Sequence, residues 1–308
     1  MSERELVCED LDLAIDQLKR DGFRLDVIYP ADEPATALLS RDGESVRLTT
    51  SRAPPLPDRL PRFEPEFVLT RAGGSAGHGR AGMLYRDLIP GRLGGRYIAS
   101  HISIPGGGPV SDWVHFHKIA LQLLYVRRGW VRLLYEDQGD AFVMNAGDLV
   151  LQPPEIRHRV LESSSNFEII ELGAPAVHAT FADHELELPN ARNPGRTYGG
   201  QRFLHHKAAE TAWTGFRGSE ARETAMKEAT SGLADVRTLR RGTADRLDFP
   251  PHDGELVFGF VLDGSATLEG RGRLGPADSF VIPPSEAWRL NDLSPDFRLL
   301  HVTTARLG

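Results

Sequence analysis

Three histidines and a glutamine, His115, His117, Gln122 and His158, have the donor atoms and the spacing of a metal site built on β-strands. Residues i and i+2 of a strand point to one face. His115 and His117 therefore face the same way, with Phe116 turned from them. Gln122 then comes from the next strand and His158 from a later one. Three neutral imidazoles and an amide oxygen converging inside a small barrel bind a divalent transition metal and leave room for a further ligand. Iron is the expected metal, and zinc, nickel, manganese and copper suit the same donors.

These residues sit in a longer pattern. His115-x-His117 is followed after four residues by Gln122 and, six residues on, by Gly129, while Gly147, Pro153 and His158 form a second block. The two blocks resemble the two motifs of the cupin superfamily, and the resemblance extends over roughly residues 80 to 306. It implies a double-stranded β-helix, or jelly-roll, barrel with His115, His117 and His158 as ligands and Gln122 as the fourth. Two departures stand out. Gln122 takes the place of the family's Glu, and Glu155 and Glu162 replace its Gly and Asn. With a neutral amide in the set, the metal's double positive charge stays uncompensated, which favours an anionic chelating ligand such as an enolate or catecholate. The substitution also removes the carboxylate that would serve as a base beside the metal.

Around the ligands, Leu124 and Val126 follow Gln122 on the same strand face and are expected to make an apolar wall. Trp113 shares the face of His115 and His117, and His101, on the strand from 99 to 104, is a further candidate for the lining. Tyr125 and Tyr135 are expected to pack outside the barrel. His178, His184, His205 and His206 carry no strand spacing relative to the motif and read as solvated loop residues.

The rest of the chain divides by pattern. Residues 1–52 form a small α+β module. Apolar residues at 11, 14, 15 and 18 predict a helix capped by Asp10, followed by strands at 23–29, 35–40 and 45–50. This order resembles half of a vicinal-oxygen-chelate (glyoxalase-like) module without its metal ligands, and its open sheet edge suggests pairing with a second copy. Residues 53–80, with five prolines from 54 to 65, read as a linker, and 72–82 as loop. A run of short strands bounded by turns predicts a first barrel over 81–187. Residues 188–232 connect it, through short helices near 208–214 and 219–231, to a second barrel over 233–308. There Gly264, Pro283 and Pro284 repeat Gly129, Pro153 and Pro154, so the fold class is mainly β, a bicupin. Trp288 occupies the place of His158, Val257 that of Gln122, and Pro250-x-His252 that of the paired histidines. One metal per chain follows.

Composition narrows the class further. A net charge of −7 gives no general attraction to nucleic acid, and the chain has no run of 18 apolar residues and no secretory leader pattern. A single Cys8 excludes an internal disulfide framework and fits a reducing compartment, so a cytoplasmic protein is expected. No nucleophile elbow or phosphate loop is present. The leading functional expectation is a mononuclear metal-dependent dioxygenase acting on an aromatic or enolisable small molecule, in a homodimer. The alternatives are a redox-neutral, polyketide-cyclase-like or isomerase-like cupin using the metal as a Lewis acid, and a non-catalytic binding protein.

Overall fold

The strand Leu121–Arg128 shows how the first barrel is made. Leu121, Leu123 and Tyr125 point to one side, Gln122, Leu124 and Val126 to the other, and all but Leu124 are buried. A strand covered on both faces needs something packed against each. The outward set meets Leu256, Phe258 and Phe260 of the strand Leu256–Asp263 in the largest apolar cluster of the molecule. The inward set looks into the barrel's own interior. Two barrels thus lie back to back, and the computed structural model describes them over residues 3–78 and 83–307.

One sheet of the first barrel runs in the order Leu204–His206, Leu149–Leu151, Leu121–Arg128, Phe167–Ala174, Ile98–Ile104, Leu84–Asp87 and Gly77–His78. It faces a second sheet of Thr180–Ala182, His115–His117, His158–Ser163, Trp130–Tyr135 and Phe142–Asn145. The second barrel repeats the scheme. Its long sheet is centred on Ala234–Arg240, Arg298–Thr304 and Leu256–Asp263, and its short sheet on Leu247–Phe249, Trp288–Asn291 and Ala266–Leu268. Among the described residues no helix is long and apolar enough to cross a membrane.

Four expectations change. The proline-rich stretch is not only a linker: Val68–Thr70 pairs with Ser279–Ile282 and completes a sheet of the second barrel. The connection between barrels does the converse, since Leu204–His206 pairs with Leu149–Leu151 of the first. Asp148 and Asp278 anchor these additions in the same way, accepting from the backbone N–H of Ala208 and Ala72 at 2.8 Å each. In the segment expected to be helical, Ser219–Glu223 is a strand paired with Ala234–Arg240, because its small residues Ser219 and Ala221 alternate inward; the helical pieces are Ala208–Glu210 and Met226–Ala229. The expected loop at 72–82 contains the short strand Gly77–His78, and its positions 79–82 lie outside the described residues.

At the N-terminus the helix Leu11–Arg20 forms as read. The Asp10 side chain accepts from the Leu13 N–H at 2.9 Å, and Leu11, Ile15 and Leu18 are buried against the strands behind it. Asp42 and Gly43, both at positive φ, make the tight turn between Thr36–Arg41 and Glu44–Thr49. A strand missed in the sequence, Glu3–Val7, joins parallel to Glu44–Thr49. Arg24–Tyr29 pairs with Thr180–Ala182, so this module's sheet is continuous with the sheet that carries the histidines.

Candidate metal centre

Cross-strand pairing explains how the histidines meet. In the antiparallel register, His115 lies directly opposite His158, and His158 directly opposite Tyr135. Residues so paired share a face and stand about 5 Å apart. His117, two residues beyond His115, shares that face. The ring centroids of His115 and His158 are 4.1 Å apart, and His117 lies 5.3 Å from each. Each ring offers a ligand nitrogen within 4.8 Å of the other two, and all three residues are buried. Among the described residues this is the one such group of three.

The hydrogen bonds behind the rings set their chemistry. His115 Nδ1 is 2.8 Å from the Trp113 carbonyl oxygen and His158 Nδ1 3.1 Å from that of Ile156. A carbonyl oxygen only accepts, so both Nδ1 atoms carry the proton and the ring lone pair sits on Nε2. His117 Nδ1 is tied to the Thr180 hydroxyl at 3.1 Å. The Asp112 carboxylate adds an oxygen 3.5 Å from His115 Nδ1, while its other oxygen accepts from Val160 N–H at 2.9 Å. A carboxylate and carbonyls behind metal-binding imidazoles fix ring orientation and strengthen the donors. The donor set therefore fits a divalent transition metal.

The opposite sheet supplies the rest of the cavity, whose volume is about 100 Å³, room for roughly seven to ten waters or one small organic molecule. Its wall is mostly apolar, with Met83, Ile102, Leu124, Leu133, Val160 and Ile169 among the lining residues. Gln122 is buried in this wall. Its Oε1 accepts from Gln152 Nε2 at 2.8 Å, and its Nε2 donates to Glu171 Oε1 at 2.5 Å. Tyr135 Oη in turn donates to Gln152 Oε1 at 2.7 Å. Glu171 accepts only, so the whole row has one sense, from Tyr135 through Gln152 and Gln122 to Glu171. An amide oxygen has two lone pairs, and Gln152 takes one of those on Gln122.

Of the four further lining candidates, Leu124 faces the cavity. Val126 is fully buried on the same strand face but belongs to the apolar core beneath the cavity. Trp113 packs against the N-terminal module and lines the cleft between that module and the barrel, its ring 6.0 Å from that of His115. His101 points away. Ile102 and Ile104 line the cavity, so His101, between Ser100 and Ile102, faces the other barrel and packs on Phe260 at 5.7 Å. Its Nδ1 meets the guanidinium of Arg86 and its Nε2 the carboxylate of Glu168. Burial holds its pKa down at about 4, and the nearby Glu168 only partly offsets this. The geometry agrees, because an arginine only donates and so leaves Nδ1 without a proton.

Four side chains at the site escape the sequence reading. Tyr135 was expected outside the barrel, yet it lines the cavity, with burial first and the Glu171 charge second raising its pKa. Glu171 and Asp112 place carboxylates beside a centre expected to have none. His178 is not a solvated loop residue. It is 3% exposed, with its ring 5.4 Å from His117 and Nδ1 on the Pro175 carbonyl oxygen. His184 Nε2 likewise meets the Leu25 carbonyl oxygen, and His205 stacks on Phe142.

In the second barrel the place of the metal site is filled. Phe249 lies opposite Trp288 in register, as His115 lies opposite His158, and the two rings stack at 3.9 Å. The equivalence with the paired histidines thus starts at Phe249, one residue before the expected Pro250. His252 instead meets the Ile282 carbonyl oxygen at 3.1 Å.

Comparison with known proteins adds the fold. No family model matches the sequence, and a search of curated proteins returns no match. Among solved structures, oxalate decarboxylase of Bacillus subtilis, studied for its Mn(II) centres, superimposes with a TM-score of 0.53 at 10% identity, over 84% of this chain and 80% of that one. Protein Ylba of E. coli superimposes with a TM-score of 0.56 at 12% identity, over 82% and 96%. At such identities the likeness establishes the architecture, which is that of the cupin fold.

Proposed function

We propose that this chain is a metal-dependent cupin enzyme with one divalent transition metal, a mononuclear dioxygenase acting on an aromatic or enolisable small molecule that chelates the metal. The observation that carries the reading is the anchoring of three imidazoles by their Nδ1 atoms around one small apolar cavity. A redox-active metal, iron foremost, would supply the charge that holds an anionic chelate and the electron exchange that O₂ chemistry needs. His115, His117 and His158 would hold it. Gln122 is the fourth donor, through the second lone pair of its amide oxygen. Leu124, Ile102 and Ile169 exclude water and strengthen every charge interaction inside the cavity.

A second reading, redox-neutral chemistry with the metal as Lewis acid, is favoured by one observation: Glu171 places an acceptor for a substrate proton in the cavity wall. Metal analysis of the protein as purified, followed by oxygen-electrode traces with a catechol and a 1,3-diketone, separates the two. Iron with oxygen uptake is the expected result. Zinc without uptake would replace the first reading by the second, and tight ligand retention without turnover would replace both by a binding role. Homodimerisation belongs to the same proposal, because the outer edge of Glu3–Val7 ends its sheet with all five residues exposed. A light-scattering mass near twice 34.0 kDa is expected. Residence in the cytoplasm, in keeping with the free thiol of Cys8, completes it.

A further inference from the structure

Gln122 and Gln152 stand side by side on neighbouring strands of the first barrel. The register that pairs Leu123 with Leu151 continues to them, and the Gln152 backbone N–H donates to the Gln122 carbonyl oxygen at 2.9 Å. Each residue is 2% exposed, and both line the cavity. In the second barrel the same two positions are Val257 and Ile282, also paired in register and also buried. That barrel closes on an aliphatic pair, so the fold itself has no need of the two amides. Buried amides gain little over apolar groups of the same shape, and they cost stability when a partner is lost. Their presence in the barrel that holds the histidines therefore points to the cavity.

The bonds on the Gln122 amide show what is needed there. Its two ends have nearly the same shape and opposite use, since the oxygen can bind a cation and the NH2 group only donates. Contact of Nε2 with the Glu171 carboxylate selects which end is which. It does not fix the oxygen, because the amide can still turn about that one contact. Gln152 fixes it. Its Nε2 donates to Gln122 Oε1 at 2.8 Å, and its own Oε1 accepts from Tyr135 Oη at 2.7 Å. The two lone pairs of an amide oxygen lie near the amide plane. With one directed at Gln152, the direction of the other is set.

We propose that Gln152 is a positioning residue of the metal centre, holding the Gln122 amide so that the remaining lone pair of Oε1 serves the metal, with Tyr135 as the brace behind it. This inference rests on the proposed centre with Gln122 as its fourth donor, and adds two residues on which that donor depends. A hydrogen-bonded support behind a metal ligand raises affinity through its hold on the ligand's orientation.

The test uses full-length protein and Co(II), whose visible d–d bands report the number and kind of donors, with affinity read by competition against a chelating dye. Gln152→Leu is expected to weaken Co(II) binding by about tenfold, the lower end for loss of a group that supports a ligand, and to shift the bands in the same way as Gln122→Leu. Because Gln152 acts through Gln122, the double variant should match the affinity of Gln122→Leu alone to within about twofold. Tyr135→Phe keeps the ring stacked on His158 and removes only the hydroxyl. It should cause the same band shift with about a threefold loss, the scale of one neutral hydrogen bond. A purely structural role would lower the melting temperature without moving the bands. Bands unchanged in Gln152→Leu or in Tyr135→Phe overturn the assignment, and so does a double variant in which the two losses add. Gln122→Leu with wild-type affinity and bands removes Gln122 from the ligand set, and this inference with it, while leaving the three histidines. Wild-type protein that takes up no Co(II) overturns the metal centre itself.

Discussion

At the centre, the chemistry is decided by which atom of each side chain is already engaged. Because Nδ1 of His158 is engaged by the Ile156 carbonyl and Nδ1 of His117 by the Thr180 hydroxyl, each ring keeps Nε2 for a metal, and His158→Ala and His117→Ala should each lower bound metal by more than about tenfold, the upper part of the range for disrupted metal sites. His252→Ala, which alters only a bond to the Ile282 carbonyl, should leave it unchanged; elemental analysis after dialysis reads all three. Gln122→Glu is a different experiment. It sets a second carboxylate against Glu171 across a contact now made by an N–H donor at 2.5 Å. A loss of about 2 kcal/mol in urea unfolding is expected, the scale of a buried group left without its partner. The His-x-His pair was legible because strand parity fixes it. Glu171 was not, although a sign was present. Glu168 and Glu171 are three residues apart on an apolar strand and so must point to opposite faces. One of them had to face inward, but with apolar residues on both faces the pattern could not say which.

The strands position these atoms through turns that repeat between barrels. Gly129, at φ +74°, joins Leu121–Arg128 to Trp130–Tyr135, and a Cβ there would come 2.1 Å from Ser164 Oγ, which itself accepts from Trp130 N–H at 3.0 Å. Gly264 has the same arrangement, with Ser294 Oγ 2.4 Å from an added Cβ and accepting from Ser265 N–H at 2.8 Å. Gly129→Ala should therefore cost about 2 kcal/mol, combining a strained backbone with a broken turn contact. Gly264→Ala should cost a similar amount, with no effect on metal content, as judged by thermal unfolding and elemental analysis. Such turns are written locally, which is why both glycines could be matched from sequence. The short strands Val68–Thr70 and Leu204–His206 were not, because each forms only against a partner more than 50 residues away, and three residues hold too little pattern to be seen alone.

Across the whole molecule, the contact between barrels contains a pH-sensitive residue. His101 has its pKa lowered by burial to about 4, against about 6.5 in an unfolded chain. The unfolded state therefore binds a proton that the folded state refuses throughout that interval. Stability is complete above pH 6.5 and declines as pH falls toward 4, by at most roughly 3 kcal/mol for this one group. Urea midpoints measured between pH 7 and pH 4.5 should fall, and His101→Gln should flatten that part of the curve. Fold class and the repeat were plain in the sequence, since period-2 runs and paired glycines and prolines recur along it. The back-to-back contact was not, because a residue facing a neighbouring barrel and one facing its own interior are equally apolar.

The exchange of outer strands has a final consequence. With residues 68–70 stitched into the far barrel and 204–206 into the near one, no single cut in the polypeptide yields two self-sufficient halves. A nick near residue 190 should leave fragments that survive only by clasping each other, co-eluting in native buffer and parting in denaturant. The half without the histidine cluster is thereby a structural support of the half that holds it.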